Sequence, residues 1–336
     1  MTINVNLQDI SKYRSELMGL ATIMIIVCHS VPFGVQMPDI LSRIFTLGNL
    51  GVDVFLFLSG VGLYYSLSRV KVSDDLLTWY RKRFVRILLP YLVIVTPCYA
   101  YSTISNDHSI WYFLYLLSTA SFWTEHLGMW FIALMIPLYL ITPFVYGILR
   151  RYDLDNVTGG LIASIVVVVL YLLCYIMPDY DSPIADNVFG AVARSSIFFF
   201  GLGLGGSVKR AVFGRPGGVN SVALTIICVV GYVLLKMMNI NLPMLLAIPV
   251  ILLLVHILNM LEEIECVRTV LCFMGSISLE SYLTNVLFSG FAHNINFGLF
   301  GYCNYIPYLC VIISGITISF IIHKTITGIN SHLKHL

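Results

Sequence analysis

"LMGLATIMIIVCHSVPFGV", Leu17–Val35, carries no full charge and only one imidazole, that of His29. A hydrophobic run needs about 20 residues to cross the hydrocarbon core as a helix, so this stretch reads as a membrane span. Lys12 and Arg14 precede it as they would in a secretory leader. No small-x-small cleavage site follows, however, and the rest of the chain is equally apolar, so the segment is expected to stay as a first span.

Runs of the same kind continue along the chain. They cover Leu50–Ser68, Ile87–Ser105, Leu127–Leu149, Val157–Met177, Val188–Gly206, Val219–Met238, Met244–Leu261, Thr269–Ser289 and Tyr305–His323. The expected fold is an all-α polytopic bundle of about ten transmembrane helices, a single membrane-embedded domain over 1–336 with no appended soluble domain. The piece Ile110–Phe122 is too short to count and reads as re-entrant or interfacial.

Composition agrees. Of 336 residues, 58% are apolar and 11% charged, against roughly 25% charged in ordinary globular chains. Such a chain cannot cover itself with a polar surface, and it belongs in a bilayer. A net charge of +2 with no basic face or recognition module excludes nucleic acid as a partner. The eight cysteines form no CxxC pair, so no zinc or disulfide framework is expected and no metal site is assigned.

Lysine and arginine set the orientation. With the N-terminus inside, every one of the 19 except Arg43, Arg194 and Lys236 falls on the cytoplasmic side, and the acidic loop "MPDYDSPIAD" lies outside. Both termini are therefore expected in the cytoplasm, with the protein in the cell membrane. "FFFGLGLGGSVKR" formally holds GxGxxG at Gly201, Gly203 and Gly206. A dinucleotide fingerprint needs a strand before it, whereas this one ends a span, so close helix packing is the better account.

Ionisable groups inside spans are costly and mark cavities or partners. They are His29, Asp53, Arg194, His256 and Glu280. Fifteen residues separate Arg14 from His29, about 22 Å of helix, which places the imidazole deep. Asp53 begins the next span at a similar depth and is expected to orient the His29 tautomer, as the third member of a triad does. The alternative is a core histidine bonded to a neighbouring carbonyl. His256 lies near a helix end, where the ring can snorkel, and Arg194 and Glu280 read equally well as a mutual ion pair. In "WYRKRFVRILLP", Arg81, Lys82, Arg83 and Arg86 crowd one mouth. The positive-inside rule alone accounts for such a cluster, yet Arg83 and Arg86 share a helical face and suit bidentate phosphate binding.

Five stretches in order, "RSELMGLATIMIIVCHS", "GNLGVDVFLFLSGVGLYYSL", "RKRFVRILLPYL", "LGMWFIALMIPLYLITPF" and "GSISLESYLTN", resemble the membrane-bound acyltransferase-3 family of sugar and polysaccharide O-acyltransferases. The resemblance implies about ten helices and transfer of an acyl group, commonly acetyl from acetyl-CoA, to surface carbohydrate or its lipid-linked precursor. It implies that His29 is essential and that Arg83 and Arg86 handle the donor. The chain departs from the family pattern at Met18, Val61 and Asn285, and no role is transferred there.

The expected chemistry follows. His29 takes the proton of an acceptor hydroxyl as it attacks a thioester, worth typically 10² to 10⁴ in rate. The phosphates of the acyl-CoA dock on Arg14, Arg81, Lys82, Arg83 and Arg86, and its arm threads between helices toward His29. Acetyl-CoA is a substrate, and no permanently bound cofactor is expected. Ser59, Tyr64, Arg194 and Asn285 are unranked donors for the developing oxyanion, with Glu280 a further substrate-site candidate. A covalent acyl-histidine route stands beside direct transfer, and a transporter or flippase is the rival class.

Overall fold

The computed structural model describes residues 4–70, 75–176, 182–212, 218–238, 240, 242–294 and 304–332. Lys71, Met177, Arg215, Cys303 and Lys334, and residues 177–181 of the acidic loop, lie outside the described residues. The described chain is helical almost throughout. In order the helices are α1 (Leu7–Lys12), α2 (Arg14–His29), α3 (Asp39–Thr46), α4 (Leu50–Leu67), α5 (Leu76–Ser105), α6 (Ile110–Leu117), α7 (Ala120–Glu125), α8 (Trp130–Arg151), α9 (Val157–Ile176), α10 (Pro183–Val212), α11 (Ser221–Met237), α12 (Met244–Met260), α13 (Glu265–Ser276), α14 (Ser278–Asn294) and α15 (Tyr305–His332). One small addition to the all-helical expectation is an antiparallel pair of three-residue strands. β1 (Asn4–Asn6) ties the N-terminus to β2 (Gly218–Asn220).

Among the described residues, five helical stretches are long and apolar enough to cross a membrane, or six if the bent pair α13–α14 counts as one span. The chain is a multi-pass membrane protein. The ten expected spans correspond in position to α2, α4, α5, α8, α9, α10, α11, α12, the α13–α14 pair and α15.

Several boundaries differ from the hydropathy reading for physical reasons. α2 stops at His29, and Ser30–Gly34 turns away, because Pro32 has no N–H to continue the ladder and Gly34 takes φ +87°. α5 begins eleven residues before Ile87, so the cationic cluster sits on the span's own first turns. Hydropathy stops at charges, but a helix does not. α10 likewise runs on through Lys209 and Arg210. Thr269–Ser289, expected as one span, is broken at Ile277 with a bend of 71°. Ile110–Phe122 folds as two short helices, α6 and α7, hinged at Thr119 with φ 65°.

Glycines let backbones touch where the site is built. A Cβ on Gly19 would sit 2.0 Å from the Leu271 carbonyl oxygen, and one on Gly275 2.1 Å from that of Ser15, so α2 and α13 are in backbone contact. Gly201 meets the Phe57 backbone, Gly203 that of Gly160, and Gly206 that of Asp155. The GxGxxG of α10 is thus a packing seam against α4 and α9.

Candidate active site

α2 presents Arg14, Met18, Ile25 and His29 at spacings of 4, 7 and 4. These fall within about 60° of arc at 3.6 residues per turn, one stripe along the helix. Arg14, Met18 and Ile25 of that stripe line a cavity of about 1400 Å³. At its mouth stand Arg14, Arg69, Arg81, Lys82, Arg83 and Arg86. Its walls are the small face of α4 (Ser59, Gly62, Ser66), Met135 and Tyr139 of α8, and Glu280 and His323 from α14 and α15. Its inner end is apolar and aromatic, with Ile25, Phe55, Phe131 and Tyr282. Ile25 is eleven residues from Arg14, about 16 Å of helix, and His29 lies one further turn along.

The mouth is strongly positive. Arg14, Arg83 and Arg86 act on one another and on the Tyr139 hydroxyl, and none has a carboxylate within 4 Å among the described residues. Guanidinium groups held together without counter-ions create the potential that draws a polyanion. Arg83 is fixed there by its Nη2 donating to Ser66 Oγ at 2.5 Å, and Trp79 Nε1 donates to the same hydroxyl at 2.7 Å. A Cβ on Gly62 would stand 3.1 Å from the Arg14 guanidinium, so glycine there lets that group lie flat on α4.

His29 is half-buried, and its Nδ1 lies 2.6 Å from Oδ1 of Asn285 on α14. An amide oxygen can only accept. The proton is therefore on Nδ1, and Nε2 carries the lone pair that a general base needs.

The expected His29–Asp53 dyad is not formed. Asp53 is fully buried and accepts from Arg194 Nη1 at 3.0 Å, while the Arg194 guanidinium also lies 5.1 Å over the Trp130 ring. The carboxylate goes to the stronger partner that α10 brings to its depth, and the imidazole is left to the neutral amide. That pairing also replaces Arg194–Glu280: Glu280 Oε1 instead accepts from His323 Nδ1 at 3.0 Å, inside the cavity. Tyr64, expected as an oxyanion donor, gives its hydroxyl to Asp155 at the other end of α4. Arg150 at 2.9 Å and Arg210 at 3.2 Å complete the set around that carboxylate.

Of the sequence candidates, then, Arg14, Arg81, Lys82, Arg83, Arg86, Ser59 and Glu280 line one cavity. His29 and Asn285 meet just beyond it, and Asp53, Arg194 and Tyr64 are engaged elsewhere. The reading missed Ser66, Tyr139, Tyr282 and His323. The run of small residues Ser59, Gly62 and Ser66 at helical spacing was a legible signal for a recessed face. No comparable signal marks the two tyrosines, which in sequence look like core.

Comparison with known proteins bears directly on this cavity. A family model described as an acyltransferase domain matches residues 17–324. The chain belongs to the acyltransferase-3 family. Neither the curated proteins nor the solved structures yield a match. Family membership makes the protein a membrane acyltransferase, and the transporter reading falls away. Of the residues that line the cavity, the match takes in those of α4, α5 and α8, Met18 and Ile25 of α2, and His323 of α15, while Arg14, Ser15, Ile326 and Thr327 lie outside it.

Proposed function

We propose that this acyltransferase moves an acetyl group from acetyl-CoA to a hydroxyl of a surface polysaccharide or its lipid-linked precursor, with His29 as general base. The observation that carries the reading is the single cavity leading from six cations at its mouth to Ile25, one turn short of His29. Coenzyme A is built to the same plan, with phosphates at one end and the thioester at the end of a narrow arm. The phosphates dock on Arg14, Arg81, Lys82, Arg83 and Arg86. The cation-rich end is the cytoplasmic one, both termini lie there, and the enzyme sits in the cell membrane.

The acceptor hydroxyl arrives from the outer side or laterally from lipid. Its proton passes to His29 Nε2 as its oxygen attacks the thioester carbonyl carbon. The C–S bond then breaks, and the leaving thiolate takes the proton from the imidazolium. Asn285 holds Nδ1–H throughout, which leaves Nε2 as the accepting nitrogen.

The test is acetylation of surface glycan in cells. His29→Ala should abolish ester formation while the protein still inserts and binds acetyl-CoA. Changing Arg83 and Arg86 together to Ala should raise the KM for acetyl-CoA, with a smaller difference at high salt. Full acetylation by the His29 variant removes the base assignment, and an unchanged donor KM removes phosphate docking.

A further inference from the structure

Four helices each give one apolar side chain to the inner end of the cavity: Ile25 of α2, Phe55 of α4, Phe131 of α8 and Tyr282 of α14. Ile25, Phe55 and Tyr282 are buried, while Phe131 is only half-buried. The Phe131 ring lies 6.3 Å from that of Phe55 and meets that of Tyr282 edge-on at 5.6 Å, so it fills the gap between α4 and α14. The Phe131 N–H is directed at the Tyr282 oxygen, which ties the first turn of α8 to α14. A close-packed floor of this kind does not give way cheaply to extra atoms.

Two helices independently measure the distance from the cations to this floor. Along α8, Tyr139, Met135 and Phe131 line the cavity at spacings of four, and the Tyr139 hydroxyl feels the charges of Arg14, Arg83 and Arg86. From Tyr139 to Phe131 is about 12 Å of helix, and from Arg14 to Ile25 about 16 Å. A ligand anchored on those cations and extended along both helices brings its far end against the rings. A polar end would be buried there at a cost unless it found a hydrogen-bond partner, whereas hydrocarbon is favoured. Resting on the acyl-transfer reading above, we propose that Phe131 sets the upper size of the acyl group that this enzyme transfers. The acetyl methyl lies against the ring, and each further methylene has to displace it or the rings packed on it.

The experiment uses the full-length protein in nanodiscs with one glycan acceptor and acetyl-, propionyl-, butyryl- and hexanoyl-CoA, and reads kcat/KM for each donor. In wild type the value should fall about tenfold or more for each added methylene. Phe131→Ala removes the ring, and its butyryl-to-acetyl ratio of kcat/KM should rise by about 10- to 100-fold over wild type, with Phe131→Leu between the two. Each ratio is taken within one preparation, so a loss of folded protein cancels, and should the Ala variant not fold, the Leu variant decides. A wild type that uses butyryl-CoA as well as acetyl-CoA overturns the proposal, as does a wild-type ratio in the folded variants. A wild-type protein that consumes none of the four donors overturns the acyl-transfer reading and this proposal with it, whereas an unchanged ratio in an active enzyme leaves that reading standing.

Discussion

His29 Nδ1 and Asn285 Oδ1 meet at 2.6 Å across 256 residues of chain. The contact fixes which imidazole nitrogen is free, without placing a charge beside the ring. On the proposed role of His29 as general base, Asn285→Leu should therefore leave the imidazole present but unaligned. The expected outcome is a fall in kcat of roughly 10- to 100-fold, less than complete loss of a general base worth 10²–10⁴, with acetyl-CoA affinity unchanged. Steady-state kinetics on purified protein checks it, and a drop confined to KM would count against a positioning role.

At Gly62 the cavity is held open by the lack of a side chain beside the Arg14 guanidinium. Gly62→Leu puts a branched side chain into the cavity and pushes that group aside. The KM for acetyl-CoA should rise by about tenfold or more while the fold is kept, since the substitution adds a good helix former in place of glycine. Isothermal titration with CoA reads the loss directly.

Asp53 and Arg194 form a buried pair, with Asp53 fully buried and its Oδ1 without a partner among the described residues. Removing one member strands the other, which typically costs about 3–5 kcal/mol. Asp53→Ala should lower the thermal unfolding temperature sharply, and adding Arg194→Leu to it should recover much of the loss. A double variant no more stable than Asp53→Ala would show that the two are not coupled.

Asp155, in the loop between α8 and α9, gives a pH-dependent term. Burial alone would raise its carboxyl, but the Tyr64 hydroxyl and the Arg150 and Arg210 guanidinium groups outweigh burial and hold it below the usual carboxylate range. A group whose acidity is strengthened by folding contributes stability above its unfolded pKa, about 3.9, and loses it as pH falls through the lower folded value. Asp155→Asn should thus be less stable than wild type at pH 7 by a margin that narrows only below about pH 4. Thermal melts across that range decide it.

The spans were legible because lipid demands long apolar runs, and α4, α9 and α12 follow the hydropathy closely. The break at Ile277 was not, because neither it nor its neighbours Ser276 and Ser278 is a proline or glycine, and apolar residues continue on both sides. In the site, Arg83 and Arg86 were readable as one face because their spacing is local. The partners of His29 and Asp53 were not, since each arrives from a helix more than a hundred residues away and the sequence gives depth but not azimuth. Tyr282 was invisible for another reason: a tyrosine on an apolar helix reads as core, and nothing local shows that it borders the cavity.

The 71° turn at Ile277 divides labour within one short stretch of chain. Below the elbow, Gly275 is clamped on the backbone of Ser15 near the foot of α2. Above it, Asn285 reaches His29 at the far end of the same helix. Anything that straightened the elbow would leave the clamp intact and carry Asn285 away from His29, so this joint sets how far α14 reaches along α2.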